Sequence, residues 1–133
     1  MLARNGRIIT KENGAIFHRD RLYLATNGKK AWEDLKKLAE RAEATNVPLT
    51  DLIQMILTDV EMPEMDGYIL TKNIKSDPRF RQIPVIMHSS LSGMSNQQLG
   101  HSVGVDEYVS KFEPQRLSET ITRILEDSVA AAA

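Results

Sequence analysis

The tightest constraint on this chain is the stretch from Ile53 to Gly67. Ile53, Met55, Ile56 and Leu57 make an apolar run broken only by Gln54, which reads as a strand buried on both faces. The run stops at Asp59, and a loop with Pro63 and the Asp66-Gly67 pair follows at once. A carboxylate at the C-terminal end of a buried strand lies where open α/β sheets carry their chemistry. Asp also ends strands and starts turns for purely local reasons. The stretch alone leaves both readings open.

The surroundings of that strand set its context. Leu22-Tyr23-Leu24-Ala25 reads as a short strand, with Thr26-Asn27-Gly28 as its turn into a helix. From Lys29 to Ala44 the residues Ala31, Leu35, Leu38 and Ala42 recur at helical spacing, widened by Trp32 and Ala39, and a mixed-charge face lies opposite. Asn46 and Pro48 end that helix. A second helix runs from Gly67 through Leu70 and Ile74 to Ser76 and is stopped by Asp77-Pro78. Ile83 to Met87 is another buried strand, ending in the hydroxyl-rich loop His88 to Gly93. A weakly amphipathic helix from Ser95 to Val103, a short strand at Tyr108-Val109 and a helix from Pro114 with the stripe Leu117, Ile121, Ile124 and Leu125 complete the chain. Alternation of strand and helix from residue 21 onward implies parallel strands joined by crossovers. Before it, Ile8-Ile9 and Ala15-Ile16-Phe17 flank an Asn13-Gly14 pair, the mark of a hairpin turn or of an unstructured lead-in.

Composition narrows the function. The 133 residues suit one domain with a real core. Seventeen Lys and Arg against 18 Asp and Glu give a net charge of −1, so no global field points to nucleic acid or an anionic membrane. The absence of cysteine excludes disulfides, thiolate metal sites and cysteine nucleophiles. His18, His88 and His101 lie too far apart in sequence to suggest a histidine metal site. No apolar run approaches the roughly 18 residues of a membrane span, and the first residues do not form a signal peptide. A cytoplasmic domain is expected.

Asp59, Ser89 and Lys111 fall at the ends of three successive strands, which share one edge in a parallel sheet. Singly each has an ordinary reading: Ser89 and Ser90 cap a turn, Lys111 is a solvated lysine, Tyr108 is core. Together they are complementary. A carboxylate can form an acyl phosphate. A hydroxyl and an ammonium can hold phosphoryl oxygens, and Mg²⁺ would bridge carboxylate and phosphoryl group.

Here the residues carry a resemblance. Asp59-Val60-Glu61-Met62-Pro63-Glu64-Met65-Asp66-Gly67 resembles the D-x-x-M-P-x-M-D-G signature of bacterial response-regulator receiver domains, with Ser89-Ser90, Tyr108 and Lys111 at the family's spacing. His88 to Gly93, the long first helix and Lys111-Phe112 resemble the receiver half of CheV-type chemotaxis coupling proteins. The resemblance implies a flavodoxin-like, doubly wound α/β parallel sheet in the order 2-1-3-4-5. It implies a non-enzymatic module of a chemotaxis-type two-component system, phosphorylated on Asp59 by a histidine kinase. Asp59 and the backbone carbonyl of Glu61 would hold Mg²⁺, Ser89 with Ser90 would bind the phosphoryl oxygens, and Lys111 would pair with them. Tyr108 would be the rotating aromatic of an output face flanked by the helix from Ser95 and the final helix. Chemoreceptors or coupling proteins are the further partners implied.

The chain also departs from that family. A receiver begins with an apolar strand ending in two acidic residues, then a helix, before the strand matching Arg21 to Ala25. Only 20 residues precede that strand here, and none of their apolar pieces ends in an acidic pair. Glu12 stands beside Lys11, and Asp20 between Arg19 and Arg21. The expected organisation is therefore an atypical segment at 1–20, a receiver-like domain at 21–126 that is N-terminally truncated or altered, and a disordered Ala-rich tail at 127–133. Ile8-Ile9 filling the empty central slot, or a strand swapped within a homodimer, would repair the sheet. Mg²⁺ would keep one carboxylate, one carbonyl and water, a weak and incomplete site, and phosphotransfer is expected to be slow or absent. Phe112 stands where the family has Pro after its lysine. A cis bond there would cost about 3 kcal/mol more than trans, so Lys111 is expected to sit less firmly.

Three functions compete on these residues. One is a phosphoacceptor signalling module. Another is a pseudo-receiver that binds partners through the Tyr108 face without phosphorylation. The third is an aspartyl-nucleophile phosphatase of the haloacid-dehalogenase type, against which Glu61 counts, since that chemistry wants Asp two residues after the nucleophile.

Overall fold

The computed structural model describes residues 2–3, 8–11, 14–17, 22–23, 27–61, 64–90 and 93–132, with side chains within 27–127. The readings placed on Glu12, Asp20, Leu24 to Thr26, Met62-Pro63 and Leu91-Ser92 lie outside these residues.

Three strands form the parallel heart of the sheet: β5 (Met55–Thr58), β6 (Val85–Ser89) and β7 (Glu107–Ser110). Ile56 pairs with Val85, Thr58 with Met87, and Ser89 with Ser110. Side chains alternate across a strand, and both sides are buried. Ile56, Val85, Met87 and Tyr108 join one apolar cluster, whereas Met55, Leu57, Ile86 and Val109 join another on the opposite face. That is why the run before Asp59 is continuous and not alternating.

Helices cover each face. On the first lie α1 (Gly28–Ala44), with Ala31, Leu35, Leu38, Ala39 and Ala42 inward, and α2 (Gly67–Ser76), with Leu70 and Ile74 inward. Asn27 caps α1 by accepting from the Lys30 amide at 2.7 Å. Trp32 meets Phe80 edge to face, centroids 5.4 Å apart. The helix α3 (Met94–Ser102) stands over β7, with only Gly100 buried. The second face is covered by α4 (Pro114–Ala132) through Leu117, Ile121 and Ile124. Its backbone runs on to Ala132, through the Ala-rich segment read from sequence as a tail.

The N-terminal segment departs from both repairs expected for it. The slot between β4 (Leu22–Tyr23) and β5 is filled by β1, Leu2–Ala3 of the same chain, antiparallel to both neighbours. Ile8-Ile9 lie instead in β2 (Ile8–Lys11), which pairs with β3 (Gly14–Phe17) in a hairpin whose backbone rests against α4. The physical reason is local. Lys11 pairs with Gly14 across a two-residue connection, so this contact closes at far lower entropic cost than insertion into a distant sheet. With an antiparallel strand between them, β4 and β5 still run the same way. The order β4-β1-β5-β6-β7 is thus 2-1-3-4-5 when only the strands of this sheet are counted.

At the edge opposite Asp59 one lysine joins three elements. Lys75 Nζ donates to the carbonyl of Ile83 at 2.9 Å and to Asp106 Oδ2 at 2.8 Å, and the same Oδ2 accepts the Val85 amide at 2.8 Å. The Lys75 side chain is 16% exposed, so its loss would strand partly buried acceptors. Lys75→Met is expected to lower stability by about 2 kcal/mol. By contrast Lys30→Met, which breaks an exposed pair with Asp34, should cost no more than roughly 0.5 kcal/mol. Urea denaturation of both variants measures the difference.

Candidate functional site

Asp59 follows β5 directly, where the strand leaves the sheet. Its Oδ1 accepts the Val60 amide at 2.7 Å and lies 3.4 Å from that of Glu61. Its Oδ2 is ion-paired with Lys111. One oxygen is thus oriented by the backbone of its own loop, and the other by a cation from two strands away. Both side chains remain about a third or more exposed, 35% for Asp59 and 41% for Lys111, so the carboxylate is reachable from solvent.

The loop after Asp59 is positioned by backbone packing. Gly67 donates to the Val60 carbonyl at 2.8 Å, and Asp66 caps α2 by accepting from Ile69 at 2.9 Å. A Cβ at Gly67 would stand 2.0 Å from the Asp59 carbonyl oxygen, and one at Gly28 1.9 Å from that of Met65. The Asp66-Gly67 pair is therefore a cap and a close approach. Between them Glu64 adopts φ 70°, a left-handed conformation costing a non-glycine residue about 1–2 kcal/mol. Such strain is commonly stored where a loop must hold a fixed shape.

Lys111 is placed by the parallel ladder. Its amide donates to the Ser89 carbonyl at 2.8 Å, extending the β6–β7 register past Ser110. The Phe112 amide donates to Ser110 Oγ at 3.1 Å. Among the described residues every peptide bond is trans, and Lys111 still reaches Asp59. With Phe112 in place of proline, the β6–β7 register still brings Lys111 to Asp59. Ser89 is buried at the end of β6, 1% exposed, and Ser90 beside it is exposed. Tyr108 lies in the core on the face shared with α1 and α2. Glu61 is exposed and approaches Asp59 through its backbone.

Two further side chains adjoin these residues: His88, which the sequence places at the start of the hydroxyl-rich loop, and Tyr68, to which it assigns no role. His88, half-buried next to Ser89, has an Nε2 with no hydrogen-bond partner among the described residues. Burial holds its pKa below the usual histidine value, nearby Lys111 adds to this, and Asp59 opposes it. The sequence reads His88 as the first loop residue after Met87, whereas β6 runs on through it to Ser89. Tyr68, in the first turn of α2, donates to the Asn96 carbonyl at 3.3 Å. Burial first, then Tyr108, pushes its pKa up to about 12.

The donors among the described residues fall short of a full Mg²⁺ ligand set. Among the described residues no three His, Asp or Glu side chains come together. Asp59 supplies one carboxylate, already engaged by Lys111 and two amides, and Glu61 supplies a carbonyl. A hard cation demanding near-octahedral oxygen ligation is poorly served by that set.

Comparison with known proteins agrees with this geometry. Residues 21–122 match the response regulator receiver domain. The chemotaxis protein CheV1 of Helicobacter pylori is 37% identical over 81 residues, covering 59% of this chain and 25% of that protein. The chain thus spans about a quarter of the CheV relatives it matches. Chemotaxis protein CheY1 of the same organism is 34% identical over 102 residues, covering 76% of this chain and 73% of the relative. A putative response regulator from Chloroflexus aurantiacus superposes with a TM-score of 0.62 at 26% identity, over 77% of this chain and 74% of that one. Matched over most of its length, the chain belongs to the response-regulator receiver family, with chemotaxis proteins among its relatives.

Proposed function

We propose that this receiver is the input-responsive module of a chemotaxis-type phosphorelay, with Asp59 as phosphoacceptor and the surface around Tyr108 as output. The observation that carries the reading is the Asp59–Lys111 pair at the shared edge of three parallel strands. A carboxylate oxygen of Asp59 attacks the phosphorus of a phosphohistidine on the kinase. The P–N bond breaks, and an acyl phosphate forms. The Lys111 ammonium then follows the charge onto a phosphoryl oxygen, and the Ser89 hydroxyl, with Ser90 beside it, supplies a donor from the neighbouring strand end. The donor set for Mg²⁺ is short, so transfer is slow. The proposed setting is cytoplasmic; among the described residues no helix is long and apolar enough to cross a membrane.

A second reading rests on that same short donor set: a pseudo-receiver that docks partners regardless of phosphorylation. The surface beside Tyr108 suits docking, since Met94 and Leu99 of α3 are 76% and 47% exposed and Phe112 is 75% exposed. Exposed apolar side chains are a common feature of protein-binding faces. Kinases, chemoreceptors and coupling proteins of a chemotaxis system are the partners proposed.

Labelling with acetyl phosphate or a phosphohistidine donor in Mg²⁺ separates the two. The phosphoacceptor reading expects slow incorporation, lost in Asp59→Ala. In Lys111→Ala, incorporation should fall roughly ten- to hundredfold, the worth of one charge-assisted hydrogen bond. No label on the intact chain would reject it. The pseudo-receiver reading expects affinity for a chemotaxis-type kinase fragment to be indifferent to Mg²⁺ and beryllofluoride; a large shift in that affinity would exclude it.

A further inference from the structure

Tyr108 is the residue through which the proposed output passes, and the room for its ring is made by a missing side chain. The residue is buried, 5% exposed, on β7 at the edge of the sheet. Against it lies α3, whose buried position is Gly100. A Cβ at Gly100 would lie 2.9 Å from Tyr108 Cδ2, 3.4 Å from Tyr108 Cε2 and 3.3 Å from Val105 Cγ1. The first distance is well inside carbon–carbon contact, so one of the two groups would have to move. The inward ring and any side chain at position 100 therefore exclude each other. Glycine is also a poor helix former, so α3 is weaker at the point where the ring sits.

We propose that Gly100 is the positioning residue for Tyr108: its missing Cβ is the seat that keeps the ring inward, and it thereby sets the balance between inward and outward rotamers. The inference deepens the reading of Tyr108 as the output residue and rests on it. Between helix and ring, the ring is the part that yields, because the end of α3 at Gly100 is fixed from outside. The Gly100 carbonyl accepts the Val105 amide at 3.1 Å. Gly104 follows in a left-handed turn at φ 97°, packed so that a Cβ there would stand 3.0 Å from Lys75 Cγ. Asp106 then pairs with Lys75 at 2.8 Å, and its amide donates to the Val85 carbonyl at 3.0 Å. Position 100 cannot back away from β7 without disturbing these contacts. A ring on the edge strand, by contrast, reaches solvent through a change of χ1. A methyl group at position 100 would thus turn Tyr108 outward with no phosphoryl group present.

Gly100→Ala adds that methyl group and nothing else. The readout is tyrosine nitration by tetranitromethane, mapped by mass spectrometry on the full chain without any phosphoryl donor, with amide hydrogen exchange over residues 100–105 measured alongside. Tyr108 should be shielded in the native chain and react roughly five- to thirtyfold faster in Gly100→Ala, the population shift that one overpacked methyl group produces. Amide protection over residues 100–105 should hold. Unchanged Tyr108 reactivity would overturn the proposal. Faster nitration with lost protection over residues 100–105 would also overturn it, because the helix and not the ring would have given way. A second background keeps the test decisive if Gly100→Ala does not fold. Tyr108→Val removes Cδ2 and Cε2, so adding Gly100→Ala to it should leave the urea midpoint unchanged or raise it, alanine being the better helix former. A lower midpoint in that background would overturn the seat. Adding beryllofluoride to the native chain then separates this role from the phosphoacceptor reading. If Tyr108 reactivity stays constant with beryllofluoride but rises in Gly100→Ala, the role of Gly100 stands and the phosphorylation input falls.

Discussion

The Asp59 loop is packed so closely that a single added carbon would displace it. At Gly67 that carbon would meet the Asp59 carbonyl at 2.0 Å, and at Gly28 the Met65 carbonyl at 1.9 Å. These backbone approaches hold the loop between the starts of α1 and α2, and they aim the carboxylate out of the sheet edge. Everything chemical depends on that placement. The Val60 amide orients one oxygen, and Lys111 can neutralise the other only because β7 delivers it to the same edge.

The same edge explains how a signal would spread. The three parallel strands share their register, so the amide of Lys111 bonds the carbonyl of Ser89, and a pull on either is felt by the other. Behind the edge lies the buried Tyr108 ring, fitted against Gly100 of α3. The opposite edge is built for rigidity, with Lys75 and Asp106 joining α2, β6 and the turn before β7. A firm base under a loosely held α3 is the arrangement a two-state surface requires.

The site is also incomplete in a specific way. The Lys111 cation and the Asp59 carboxylate are in place, yet among the described residues no group of three His, Asp or Glu side chains forms that could hold a metal. The central slot of the sheet is closed by two antiparallel residues, Leu2–Ala3, and the adjoining chain makes a hairpin against α4 in place of a crossover helix. The family is shown by the matched residues and the shared fold. How strongly this chain answers to phosphate is the question its short donor set poses.

Much was legible without coordinates, because the signals are local. An apolar run ending in Asp59 specified a doubly buried strand, and helical spacing specified the inward faces of α1, α2 and α4. The spacing of Asp59, Ser89 and Lys111 pointed to one edge, since parallel strands align their ends. Other features were decided only by the tertiary structure. Leu2–Ala3 carries too little pattern to announce a strand, and Ile8-Ile9 promised more while pairing locally. The sequence could not say that Lys111 would meet Asp59, because long-range register places it there. Tyr68 and Gly100 are unremarkable in sequence and acquire meaning only where α3 meets α2 through the Tyr68–Asn96 bond and β7 through the Tyr108 ring. Periodicity and turn chemistry depend on neighbours in the chain; a shared hydroxyl or a missing Cβ matters only once distant segments are packed together.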